Sequence, residues 1–112
     1  MKRSDSLKRK KEFRYTYRAG KSFACKLCAL VYAKNRTDSV KIGFSVSKKI
    51  GNSVMRNRVK RRMREAVTPL LPQIGKGFNV IFIARSAIVD APFADLSTSM
   101  QQLLIRAGLC AK

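Results

Sequence analysis

The chain reads as an α+β fold, an α-β sandwich in which helices pack on one mixed sheet. Three observations predict it. Residues 40–47 alternate Val40, Ile42, Phe44 and Val46 with Lys41, Gly43, Ser45 and Ser47, the period of a half-buried strand. Phe78–Ala84, FNVIFIA, is nearly all apolar and suits a strand covered on both faces. Two segments with apolar residues at helical spacing, before Pro69 and before Gly108, supply helices to cover that sheet.

The elements follow in order. Residues 1–7 read as a polar segment that is frayed or ordered by a partner. Lys10–Ala19 suits a short helix with Gly20 as its stop, and Phe13 and Tyr17 share one face at i and i+4. Residues 27–33 form an apolar strand. The turn signal Asn35-Arg36-Thr37-Asp38 predicts that strands 27–33 and 40–47 pair as a hairpin. Gly51 gives the loop 48–52 backbone freedom, and Asn52 or Ser53 caps the next helix. That helix runs to about Thr68, because Pro69 disfavours helical geometry before it. After Phe78–Ala84, Asp90 and Pro92 mark the start of a last helix. Phe93, Leu96, Met100, Leu103, Leu104 and Ala107 carry its apolar spacing, and Gly108 ends it. No repeat or linker divides residues 1–112, so a single domain is expected.

The chain has 112 residues and is 46% hydrophobic, which separates it from disordered basic tails. Lys and Arg number 25 against 6 acids, a formal charge of +19. Such self-repulsion costs stability and points to a polyanionic partner, nucleic acid before an anionic membrane. No run of roughly 18 apolar residues exists, so no spanning helix is expected. MKRSDSLKRKKEF lacks the apolar core of a signal peptide, so a cytoplasmic protein is expected. Cys25 and Cys28 form one C-x-x-C, and Cys110 stands apart. Without histidine or a second pair no zinc site is expected, and ordinary thiols are favoured over a redox pair.

The helix after Asn52 is the most informative element. Met55, Val59, Met63, Ala66 and Val67 form its apolar stripe, expected to dock on the sheet. Arg56, Lys60 and Arg64 run along one border at i, i+4 and i+8. Asn57 and Arg61 lie further out, and Arg58 and Arg62 lie toward the other border. Like charges four apart each cost a few tenths of a kcal/mol. Only Glu65, four residues after Arg61, offers an internal counterion. A solvated charged face is the ordinary reading of such a run, but the near-absence of interleaved acids favours nucleic-acid contact. The helix follows a strand and carries phosphate-type cations, unlike a major-groove recognition helix, so RNA is favoured over DNA. Phe13 and Tyr17 fit either core packing or a stacking platform for unpaired bases.

GFSVSKKIGNSVMRNRVKRRMRE resembles the signature of the bacterial ribonuclease P protein family, an Arg-Asn-Arg helix after a Val-Ser-Lys-Lys-x-x-Gly-Asn turn. LKRKKEFRYTYRAGKSF and FNVIFIAR are similar to the family's N-terminal segment and late strand. The resemblance implies a left-handed crossover at the basic helix. It implies two partners: the catalytic RNA of ribonuclease P, and the single-stranded 5′ leader of precursor tRNA. Hydrolysis would belong to the RNA with its bound Mg²⁺. In family terms Phe13 and Tyr17 match aromatic positions of a leader groove between the first helix and the sheet. Arg56, Asn57, Arg58, Lys60, Arg61 and Arg64 match positions that meet RNA and help place metal near the cleavage site; Arg62 is counted with them. Ser47, Lys48 and Lys49 match the adjoining turn.

A protein nuclease needs histidine or clustered carboxylates to hold metal and move protons. This chain has no histidine, and Asp5, Glu12, Asp38, Glu65, Asp90 and Asp95 are scattered. No catalytic or metal-binding residue is therefore expected on the protein, and a stand-alone nuclease is disfavoured. A structural RNA-binding protein of ribosomal type is the alternative; the Arg-Asn-Arg signature separates the two.

Overall fold

A computed structural model describes residues 5–110 of the chain. The elements are α1 (Lys10–Ala19), β1 (Lys21–Ala24), β2 (Cys28–Lys34), β3 (Val40–Ser45), α2 (Ser53–Val67), β4 (Phe78–Ala84) and α3 (Phe93–Arg106). They build one four-stranded sheet in the order β1-β2-β4-β3. β2 pairs antiparallel with β1 and β4, whereas β3 and β4 run parallel. The sheet is mixed, as predicted.

The predicted hairpin between residues 27–33 and 40–47 is not formed, because β4 lies between those two strands. The turn signal is nevertheless real. Asn35 N donates to Gly77 O at 2.8 Å, and Gly77 N donates to Ser39 O at 3.0 Å. The two arms of the turn thus straddle the entry to β4. The most apolar strand takes the centre, where both faces and both edges are covered. β3 then reaches β4 through α2 and a short 3-10 stretch, Thr68–Gln73.

β1 escaped prediction. It is an exposed four-residue edge strand, joined to β2 across Cys25-Lys26-Leu27-Cys28, with Cys25 N donating to Cys28 O at 2.9 Å. No glycine, proline, Asn or Asp marks that turn.

One face of the sheet carries α1, and the other carries α2 and α3. Leu30, Val80 and Phe82 meet Val59, Met63 and Val67 of α2 and Leu96, Met100, Leu103 and Leu104 of α3 in one buried core. The stripe of α2 shares that core with the sheet, as expected, and α2 also packs along α3. Met55, at its upper end, is half-buried. α3 closes in a Schellman motif: Leu109 N bonds Leu104 O, Gly108 N bonds Ile105 O, and Gly108 adopts φ +76°.

Two local findings differ from expectation. Leu7 is buried, and its amide donates to Ile42 O at 2.8 Å, so residues 6–7 lie along the free edge of β3 and are not frayed. The rest of that expectation, on residues 1–4, lies outside the described residues. Gly20 ends α1 for want of space, not for a left-handed backbone. A Cβ there would fall 2.4 Å from Thr16 O and 2.7 Å from Tyr32 O.

Candidate nucleic-acid interface

Burial of Val59, Met63, Ala66 and Val67 fixes the rotation of α2. Asn52 anchors its start, the side-chain oxygen accepting from Met55 N at 2.9 Å. Asn57, Arg58, Arg61 and Arg64 are consequently exposed, while Arg56 and Lys60 are half-buried. Asn57, Arg58, Lys60, Arg61 and Arg64 line one surface depression of about 590 Å³ together with Val54, which is 78% exposed. No carboxylate among the described residues lines it. Arg56 donates to Ser53 Oγ at 3.4 Å, while its Nε is buried without a hydrogen-bond partner among the described residues. Ser47, Lys48 and Lys49 are exposed just ahead of α2, on a turn anchored by buried Ile50.

Arg62 differs from its neighbours. Its guanidinium donates to the carbonyls of Ile88 (3.3 Å) and Ala91, tying α2 to the loop that precedes α3. Two of its donors are used inside the protein, and it does not line the depression of the other cations.

α1 is positioned by a buried polar chain. Thr16 and Asn79 are both buried, and Asn79 Nδ2 donates to Thr16 Oγ1 at 3.2 Å. Thr16 Oγ1 donates onward to Glu12 O at 2.7 Å, and Asn35 Nδ2 donates to Asn79 Oδ1 at 3.0 Å. This chain ties α1 to β4 and to the 35–39 turn. Phe13 lies half-buried over Gly43 of β3, and Tyr17 is 44% exposed. Their ring centres are 6.5 Å apart, tilted by 39°.

The aromatic and cationic parts meet at the edge of β3. Phe13, Leu7 and Gly43 share a small recess with Lys60 and Arg64, about 170 Å³ in volume. Leu7 and Gly43 were not singled out from sequence. The signals were a lone leucine in a polar run and a glycine inside an alternating strand, which marks close approach. Among the described residues no group of three or more His, Cys, Asp or Glu side chains could hold a metal ion. No described helix is long and apolar enough to cross a membrane.

A cationic helix row beside an aromatic-lined sheet face, with no clustered carboxylates among the described residues, defines an RNA-binding protein of α+β fold. The sequence profile described as "Ribonuclease P" matches residues 1–108. The ribonuclease P protein component of Clostridium botulinum (strain Langeland) is 40% identical over 108 residues, covering 96% of this chain and 97% of that one. That of Thermoanaerobacter sp. (strain X514) is 42% identical over 105 residues, covering 94% and 90%. The Staphylococcus aureus RNase P protein structure superimposes with a TM-score of 0.87 at 30% identity, over 96% of this chain and 98% of that one. The Thermotoga maritima RNase P protein gives 0.82 at 27%, over 90% and 96%. The chain belongs to the bacterial ribonuclease P protein family.

Proposed function

We infer that the chain is the RNA-binding, non-catalytic subunit of ribonuclease P, the ribonucleoprotein that removes 5′ leaders from precursor tRNA. The observation that carries the detailed reading is the recess at the β3 edge, where Phe13 lies beside Lys60 and Arg64. An unpaired strand needs both elements at once: cations for phosphates and a ring for a base.

In this reading Arg56, Asn57, Arg58, Lys60, Arg61 and Arg64, with Ser47, Lys48 and Lys49, meet the catalytic RNA. The leader crosses the α1 side of the sheet, stacking on Phe13 and Tyr17, and its phosphates reach Lys60 and Arg64. Arg62 holds α2 against the 86–91 loop and so presents the row without touching RNA. The scattered carboxylates do not fit a protein-bound metal, so Mg²⁺ belongs to the RNA. The setting is the cytoplasm, where precursor tRNA is made. Cations read phosphate position and carry little base information, so selectivity rests on shape and backbone.

The test adds the purified protein to ribonuclease P RNA at low Mg²⁺ with precursor tRNA carrying a leader of several nucleotides. Stimulated cleavage that fades as the leader is trimmed is expected. Tight, salt-sensitive RNA binding without stimulation would leave only a structural RNA-binding role. Cleavage by the protein alone, free of RNA, would overturn the non-catalytic assignment.

A further inference from the structure

A second aromatic and cationic concavity lies away from both the α2 row and the Phe13 recess. It sits where β1 and β4 begin and β2 finishes, as the pairs Lys21–Tyr32 and Lys34–Phe78 fix. Tyr15, Tyr32 and Phe78 line it with Lys21 and Lys34, and no carboxylate among the described residues does. Its volume, about 480 Å³, falls within the ~300–1,000 Å³ typical of small-ligand sites.

The rings are held in place. Tyr32 stacks near-parallel to Phe23 at 6.4 Å and meets Phe78 edge-on at 6.1 Å. Tyr15 is 40% exposed, yet its hydroxyl donates to Lys34 O at 2.8 Å. It stands two residues from both Phe13 and Tyr17, so it leaves α1 on a different side from them. Lys21 and Lys34 are exposed. The remaining wall includes Gly108, where an added Cβ would meet nothing within 4 Å. The C-terminal end of α3 ends at this wall. Its partial negative charge disfavours phosphate there and favours a base amino group. Phosphate is then left to the two lysines.

We propose that this concavity is a second single-stranded RNA site, holding one unpaired base against Tyr15 with its flanking phosphates on Lys21 and Lys34. The proposal rests on the RNA-binding reading above. The same chemistry has two sources: a leader nucleotide beyond the Phe13 recess, or an unpaired nucleotide of the catalytic RNA.

The chain contains no tryptophan, so Tyr15→Trp places a single indole reporter in the holoenzyme, and Tyr17→Trp reports the α1 groove separately. Indole quenching at position 15 on adding the catalytic RNA would assign the site to that RNA. Quenching only on adding precursor tRNA with a long leader, and not mature tRNA, would assign it to the leader. Either result supports the proposal. An unresponsive position 15 beside a leader-responsive position 17 would overturn it and leave the function reading intact. If neither reporter responds and no RNA binds, both fail. Tyr15→Leu should weaken binding of the RNA that quenches by about tenfold at unchanged melting temperature. Lys34→Gln, at an exposed position, keeps the test decisive if Tyr15→Leu folds poorly. Unchanged affinity in both variants would overturn the proposal.

Discussion

The ring of Phe13 rests on Gly43 so closely that a Cβ on Gly43 would stand 2.6 Å from Phe13 Cζ. The glycine makes the seat for the ring. Gly43→Ala should lift Phe13 from the sheet and cost ~1–3 kcal/mol, the usual penalty for overpacking. Affinity for precursor tRNA should fall while affinity for mature tRNA holds. Urea melts beside binding curves with both RNAs check this, and an unchanged leader dependence would refute it.

Phe13 and Tyr17 should separate on truncation. Tyr17 is 44% exposed, so Tyr17→Ala should leave the melting temperature unaltered and lose ~1–3 kcal/mol of leader affinity. Phe13 is half-buried, so Phe13→Ala should lower both affinity and stability, the latter by less than the ~3–5 kcal/mol of a fully buried phenylalanine. A melting loss for Tyr17→Ala as large as for Phe13→Ala would contradict this division.

Asn79 serves Thr16 and Asn35 at once. Asn79→Leu strands those partners and should cost ~1–3 kcal/mol. Because the amide sets α1 on the sheet, leader affinity should drop further, whereas catalytic-RNA binding through α2 should not. Parallel loss of both binding activities would mean general unfolding.

Arg61 and Arg62 are neighbours with opposite expected phenotypes. Arg61→Ala should not lower the melting temperature and should flatten the salt dependence of RNA binding by about 0.7 in log–log slope per lost phosphate contact. Arg62→Ala should destabilise the fold by ~1–3 kcal/mol through the lost carbonyl bonds to Ile88 and Ala91, with the salt slope retained. Reversed phenotypes would return Arg62 to the RNA contacts.

Burial first, and then the neighbouring Cys25, push the Cys28 thiol up to about 12. The fold therefore favours the protonated thiol. That contribution is whole below the ordinary value of 9.0 and is lost as pH climbs toward about 12. In a Cys25→Ser, Cys110→Ser background, Cys28 should resist alkylation at pH 8 until the chain unfolds. Cys28→Ala should show a shallower fall in melting temperature across that alkaline window. Rapid native-state alkylation would disprove the protected thiol.

Sequence reasoning worked where local pattern and burial agree. The bounds Lys10–Ala19 were readable from the Gly20 stop and Phe78–Ala84 from a continuous apolar run, and of the two cap candidates, Asn52 and Ser53, the structure uses Asn52. The exposure of Asn57, Arg58, Arg61 and Arg64 follows from the stripe opposite them. Strand order was not readable, because a turn signal reports that the chain reverses and not what lies between its arms. Here Gly77 lies between Asn35 and Ser39. Nor did helical phase show Arg62 apart from Arg58, since both point toward one border. Only the loop at Ile88 and Ala91, remote in sequence, separates them. The Phe13 seat likewise needs the contact with Gly43, 30 positions away.

The central place of β4 bears on how a nascent chain matures. β1, β2, β3 and α2 all precede Phe78–Ala84 in the chain, yet β2 and β3 are joined only through that later strand. Assembly therefore cannot zip from one end. It waits for a late strand to slot between two early ones, a high-contact-order step that slows folding. Until then apolar strand edges and a self-repelling helix are exposed together, a state prone to misassembly. A polyanion that screens α2 during this interval would act as a folding aid before it acts as a partner.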